Sequence, residues 1–326
     1  MDERIHTVPD DARIRQRVMN AVSTVRESTP LAQSFTNFVT INLVANAQLA
    51  AGGTAAMSYL PDDIIDTAQV ARASYINVGT LLPFYADALD QITAYFHTAS
   101  HPWVLDPVAA GIGSTRTRIL SSFRENPPTV VRANASEVIA LASIWGLDVP
   151  STTPAADDAS TDDSEADTAD DAPAAPTKPA GVEAVDDVDS SQAAAIAIAR
   201  FLRATAPNHR AAVAVSGPVD LITDGDQVFR LFGGDAMMTK ITGAGCALGG
   251  VTATYLAVCD PLVAALSAGL LFNRASEAAA TSSSGPGSFQ TAFLDALWNA
   301  DARDVAMGNM TAASAQQTHP VVETVL

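Results

Sequence analysis

The sequence predicts an α/β protein in which a mostly parallel sheet is covered by helices on both faces. Two observations carry this expectation. Short β-branched runs alternate with longer apolar helical stretches, the order that builds parallel sheets. The polar residues with chemical potential, Thr80, Asp106, Asn134 and Ser216, each fall just after a predicted strand. Ligands of such sheets bind beyond the carboxyl ends of the strands. One domain over 1–326 accommodates all of these elements.

Taken in order, residues 11–28 place Ile14, Val18, Val22 and Val25 at helical spacing, so an amphipathic helix opens the chain. "SFTNFVTINLVANAQLAAGGTAAM" reads as a short strand or turn, then a helix ending at Gly52-Gly53. "ASYINVGTL" is a strand closing on Gly79-Thr80, and "PWVLDPVAAG" a second closing on an acid and a glycine turn. "PTVVRANASEVIALA" runs strand, turn, helix, with Asn134 or Ser136 as the cap. "HRAAVAVSGPVDLITDG" gives two strands around a Gly-Pro turn, and Asp224-Gly225 a further turn between strands. "AVCDPLVAALSAGLLFNRASEAAA" and "GPGSFQTAFLDALWNA" are helices, with Cys259 expected in the core.

The chain carries a net charge of −18, and most of it is local. Residues 151–190 hold 12 acids and one lysine, leaving the remainder at only −7. This Ala/Asp/Thr/Pro stretch has almost no large apolar side chain and is read as a disordered acidic insertion within the domain. No basic patch interleaved with aromatics exists, which argues against nucleic acid as a partner. The apolar runs are broken by Gly, Asn, Asp and Pro, so no membrane span is expected. The N-terminus is too charged for a signal peptide, and two cysteines give neither a disulfide framework nor metal-ligand spacing. A reducing, cytoplasmic setting follows as the expectation.

"KITGAGCALGGVTATYLA" joins a glycine turn to a small, apolar helix. Gly243, Ala244 and Gly245 would let a ligand approach the backbone, and the unpaired amides of the helix start attract anions. Cys246 falls in the first turn, where the helix dipole is expected to lower its pKa. A packed corner with a buried cysteine is the alternative.

Seven segments together are more specific than that turn: "PLAQSFTNFVTINLVANAQLAAGG", "INVGTL", "VLDPVAAG", "VRANASEV", "VSGPVDLITDG", "TKITGAGCALGG" and "GPGSFQTAFLDAL". In this order they resemble the hydroxyethylthiazole kinases of the ribokinase-like superfamily, from about Pro30 to Trp298 without the acidic stretch. The resemblance implies a ribokinase-like three-layer αβα sandwich. It also implies transfer of phosphate from ATP, with Mg²⁺, to the primary alcohol of 4-methyl-5-(2-hydroxyethyl)thiazole in thiamin salvage, by a homotrimer.

On that resemblance, Gly243, Ala244 and Gly245 bind the transferred phosphoryl group, and Cys246 is either the base or a positioning group for the alcohol. Most of the superfamily has an aspartate at that position, but a cysteine is typical of the thiazole kinases. Asp106 and Glu137 match the acids at the magnesium and triphosphate; a turn-capping Asp and a first-turn Glu are their structural alternatives. Arg132, Asn134 and Ser216 match the ATP contacts, Ser216 standing where most members have Thr. Asn37, Met57, Gly79 and Thr80 match the thiazole side together with Gly243 and Gly245, although Met57 also suits a core filler. Asn42 and Asn46 share one helix face and stay open between packing and site.

The sequence departs from the family after Asp106, where "PVAAG" puts Ala109 in place of a usual glycine. Gln33 replaces a frequent His, and Ala55-Ala56 precede Met57 where Pro is common. Competing readings are a kinase of hydroxymethylpyrimidine, a nucleotide-dependent dehydratase on the same fold, and a non-catalytic precursor-binding protein. The cysteine in "GAGC" speaks against the first two, and intact Asp106, Glu137 and Arg132 against the third.

Overall fold

The computed structural model describes residues 6–149 and 188–315. Apart from its last three residues, the acidic stretch lies outside them. Those three belong to a helix, Val188–Thr205, rather than to the insertion.

The expected strands form β2 (Leu31–Phe35), β4 (Ala73–Asn77), β5 (Trp103–Asp106), β6 (Val130–Asn134), β7 (Ala212–Ser216), β8 (Asp220–Thr223) and β9 (Gln227–Phe232). Three further strands, β1 (His6–Thr7), β3 (Thr54–Met57) and β10 (Asn309–Ser314), had no clear sequence signal. They are short or rich in Ala, Thr and Asn and lie toward the ends of the sheet; β1 and β10 also depend on pairing partners distant in sequence. The order is β1-β10-β9-β8-β7-β6-β5-β4-β2-β3 in one sheet. Strands from β3 to β7 pair in parallel, whereas those from β7 to β1 pair antiparallel.

Both faces are covered. One core holds Val18 and Val22 of α1 (Arg13–Ser28), Leu43 and Val44 of α2 (Ile41–Ala50), and Val251 of α8 (Ala244–Leu256). The other holds Ile64 of α3 (Pro61–Ala68), Leu89 of α4 (Tyr85–Thr98), and Leu141 of α6 (Ala135–Ile144). The central strands feed both: Val104, Val130 and Ala212 lie in the first core, and Leu105, Val131 and Val213 in the second. This period of two is why the strands read as unbroken apolar runs.

The connections decide where a ligand can enter. From β2 the chain passes through α2 on one face to edge strand β3. It then returns through α3 on the other face to β4, on the far side of β2. The loops after β2 and β4 therefore diverge and leave a crevice between them, as expected where strand order reverses. No helix of the described residues is long and apolar enough to cross a membrane.

Candidate active site

The N-terminus of α8 sits over that crevice. Gly243 is its N-cap with φ 90°, in the left-handed region that favours glycine. An added Cβ there would lie 2.6 Å from Thr40 Cγ2, so space and conformation both select glycine. No side chain caps this helix start. The amides of Ala244, Gly245 and Cys246 are thus left for solvent or a ligand, with the positive end of the helix dipole behind them.

The strand ends supply the rest. Residues two apart on a strand share a face, so Tyr75 and Asn77 on β4 both point to the α8 side. Asp106, Arg132 and Ser216 share that side at the ends of β5, β6 and β7. The register sets Asn77 opposite Asp106, and Asn134 opposite Ser216.

A continuous chain of polar contacts results. The Cys246 sulfur accepts from Asn77 Nδ2 at 3.3 Å and from Asn37 Nδ2 at 3.5 Å. Asn37 also donates to Asn77 Oδ1 at 3.1 Å, and the Gly79 amide donates to the same oxygen at 2.9 Å. Asn77 Nδ2 is 3.0 Å from Asp106 Oδ2, which accepts the Tyr75 hydroxyl at 2.8 Å. Arg132 Nη1 lies 3.7 Å from the same carboxylate oxygen, while its Nη2 donates to Ser216 Oγ at 2.8 Å. Gly245 passes close over the guanidinium: a Cβ there would be 2.6 Å from Nη1.

Electrostatics divide this chain. Asp106 is fully buried, and desolvation pushes its carboxyl up to about 6 against the pull of Arg132, with Glu137 adding to the rise. Burial and the nearby Asp106 charge push the Cys246 thiol up as well. The expected lowering by the helix dipole is therefore overturned: removal from water and a neighbouring acid outweigh a first-turn position. Cys246 is held as a neutral thiol.

Glu137 serves two backbone amides. Its Oε2 accepts from Asn134 N at 2.9 Å and its Oε1 from Ala109 N at 3.0 Å. Asn134 Oδ1 accepts from Glu137 N at 2.9 Å, so the two residues form a reciprocal capping box on α6. Asn134, rather than Ser136, is the cap, and its side-chain oxygen is engaged there. Asp106 differs, because its Oδ1 is buried without a hydrogen-bond partner. That orphaned oxygen suits a divalent cation or its water. Mg²⁺ commonly takes one or two carboxylates and completes its shell with phosphate and water oxygens. Among the described residues no group of three or more His, Cys, Asp or Glu gathers to hold a metal.

The structure thus joins Cys246, Gly245, Asn37, Gly79, Asp106, Arg132 and Ser216 in one network, with Gly243 as the N-cap and Ala244 as the first residue of α8 above it. Met57 ends β3 and Thr80 follows β4; both are half-buried at the same edge but outside the hydrogen-bond chain. Asn46 donates to Asn42 on an exposed helix face and neither joins the network. Cys259 lies in the turn after α8 and not within a helix, half-buried, with its sulfur donating to Tyr255 O at 3.2 Å.

Sequence reasoning missed Tyr75, Asn77 and Arg116. Arg116, on α5 (Ser114–Ser122), donates to the carbonyls of Val78 and Gly79 at 3.0 and 2.6 Å and pins the loop after β4. The available signal was Asn77 itself, an amide in a strand otherwise rich in apolar residues.

Comparison with known proteins agrees with this geometry. The profile of the hydroxyethylthiazole kinase family matches residues 22–159 and 180–303. The hydroxyethylthiazole kinase of Bifidobacterium longum subsp. infantis is 62% identical over 311 residues, covering 92% of this chain and 91% of that protein. Among solved structures, the hydroxyethylthiazole kinase protein of Pyrococcus horikoshii OT3 superposes with a TM-score of 0.73 at 26% identity, covering 91% and 98% of the two chains. The pyridoxal kinase of Staphylococcus aureus in complex with ADP, 13% identical with a TM-score of 0.50 and coverage of 76% and 88%, shares the fold alone. The sheet is that of the ribokinase-like kinases, and the chain belongs to the hydroxyethylthiazole kinase family.

Proposed function

We propose that this cleft transfers the terminal phosphoryl group of ATP to the primary alcohol of 4-methyl-5-(2-hydroxyethyl)thiazole, the thiamin-salvage reaction. The observation that carries the reading is the convergence of two dissimilar groups under the N-terminus of α8. On one side stand Asn37, Asn77 and the neutral Cys246; on the other stand Asp106, Arg132 and Ser216.

The neutral side suits a small uncharged heterocycle. Asn37 and Gly79 flank it, and Met57 and Thr80 extend it along the sheet edge; a thioether packs well on an aromatic ring. On the charged side, Arg132 and Ser216 meet the nucleotide phosphates, and a guanidinium can make paired bonds to their oxygens. The amides of Gly243–Cys246 face charge developing on the phosphoryl group as it moves. Asn134 contributes by fixing Glu137, and through it Ala109, rather than by a free side-chain oxygen.

Mg²⁺ bound with ATP would neutralise phosphate charge, and Asp106, with Glu137 behind it, is the residue set that would hold it. Cys246 orients the acceptor hydroxyl and does not act as the base, because burial keeps its thiol protonated. A loose transition state needs little proton removal before bond formation, so a neutral positioning group suffices. We further propose a homotrimer in the cytoplasm, supported by the family resemblance and by exposed apolar side chains such as Phe38, Val39 and Phe84 near the cleft.

The test is ADP formation from Mg·ATP with the thiazole alcohol and with hydroxymethylpyrimidine, side by side. Thiazole-dependent ADP is the expected result. ADP with the pyrimidine alone would replace the substrate. Binding of the thiazole without ADP from either alcohol would leave a precursor-binding protein.

A further inference from the structure

Tyr75 is fully buried, yet a phenylalanine would fill its place equally well. Its ring lies in a slot opened by Gly249 on α8, where an added Cβ would come within 2.3 Å of Tyr75 Cε2. The slot explains the ring and leaves the hydroxyl to be explained. That hydroxyl donates to Asp106 Oδ2 at 2.8 Å and accepts from Asn77 Nδ2 at 2.9 Å. Asn77 Nδ2 reaches the same Asp106 oxygen at 3.0 Å. Two neighbours on β4 therefore converge on one carboxylate oxygen, while Asp106 Oδ1 stays buried without a partner.

The asymmetry is informative. A buried polar atom without a partner is costly, and native proteins seldom leave one. Two donors on Oδ2 fix the plane of the carboxylate and hold the other oxygen in one direction. We infer that Tyr75 is a positioning residue for the proposed phosphoryl transfer: with Asn77 it clamps Oδ2 of Asp106 so that Oδ1 is presented to a divalent cation travelling with the nucleotide. Tyr75 does not touch substrate and acts only through Asp106. Gly249 belongs to the same device, because any larger residue there would displace the ring. The inference rests on the kinase reading but makes a separate claim about cation binding.

The test uses the full-length protein and Tyr75→Phe, which keeps the ring in its slot and removes only the hydroxyl. Mn²⁺ is titrated into the protein with ADP present and followed by electron paramagnetic resonance. The same preparations are assayed for ADP formation with the thiazole alcohol. The expected result is a roughly tenfold weaker Mn²⁺ affinity and a roughly tenfold lower kcat, with KM for the alcohol within about twofold and a thermal midpoint lowered by only a few degrees, as the loss of one buried hydrogen bond requires. Unchanged Mn²⁺ affinity in Tyr75→Phe overturns the inference whatever the activity does, since the hydroxyl then serves packing alone. Gly249→Val, which pushes on the ring while leaving the hydroxyl, should weaken Mn²⁺ in the same direction; if it does so while Tyr75→Phe does not, the ring and not the hydroxyl matters, and the inference falls. A wild-type protein that binds Mn²⁺·ADP but phosphorylates neither alcohol overturns the kinase reading, and the Mn²⁺ comparison still decides the role of Tyr75.

Discussion

The two halves of the cleft bury their polar groups at very different cost. Around Cys246 the partners are neutral: two asparagine amides meet a thiol, and none of the three needs a counter-charge. Around Asp106 an ionisable acid has been taken out of water beside one arginine, with a second acid, Glu137, close enough to raise it further. The neutral half can be altered locally. The charged half is coupled, because removing one member strands the others in a dry environment.

The sharpest way to break the comparison is Arg132→Met. It leaves Asp106 without its cation, and the expected loss is about a thousandfold in kcat/KM with about 3 kcal/mol of stability, read by ADP formation and urea unfolding. On the neutral side, Cys246→Ala removes what the proposed reading makes a positioning contact for the alcohol. A drop in kcat of about tenfold is expected with no change in the pH profile of kcat; loss of a rising limb, the signature of a group that must be deprotonated to work, would instead make the thiol a base.

Asp106 gives the pH dependence. Its folded pKa is raised above the unfolded value, so its contribution to stability is most favourable at low pH and is lost as pH rises through about 6. Asp106→Asn lacks this loss. Its stability relative to the wild type should improve by about 1 kcal/mol between pH 5 and pH 7.5, whatever constant penalty an unpaired Arg132 adds. Parallel stability curves for the two proteins would show that the carboxyl is not raised.

The smallest effect concerns the turn after β5. Ala109 has φ 58°, a left-handed conformation disfavoured for residues with a Cβ, and its amide binds Glu137. Ala109→Gly should stabilise the fold by about 0.5 kcal/mol, since relief of strain exceeds the added freedom of the unfolded chain. Differential unfolding in urea measures this, and a loss of stability would mean that the strain is absent.

Much of this was legible in the chain. The central strands announced themselves because burial on both faces demands unbroken apolar residues. The glycine turn before Cys246 was legible because a left-handed N-cap has few alternatives to glycine. Asp106, Arg132 and Ser216 could be placed at strand ends, and strand ends in such sheets form one edge. The short marginal strands could not be read: β3 is four residues with two alanines, and β1 and β10 are paired by partners far along the chain.

By itself, then, the sequence determined the α/β order, the position of the glycine turn, and the residue types available at the carboxyl edge. Those features depend on local spacing and backbone freedom, which a linear chain displays. Tertiary structure decided that Asn77 faces Asp106 across β4 and β5, that Tyr75 fits a slot in α8, and that the Cys246 thiol stays neutral. Register, close packing and loss of water act between residues distant in sequence, and only the folded chain brings them within reach.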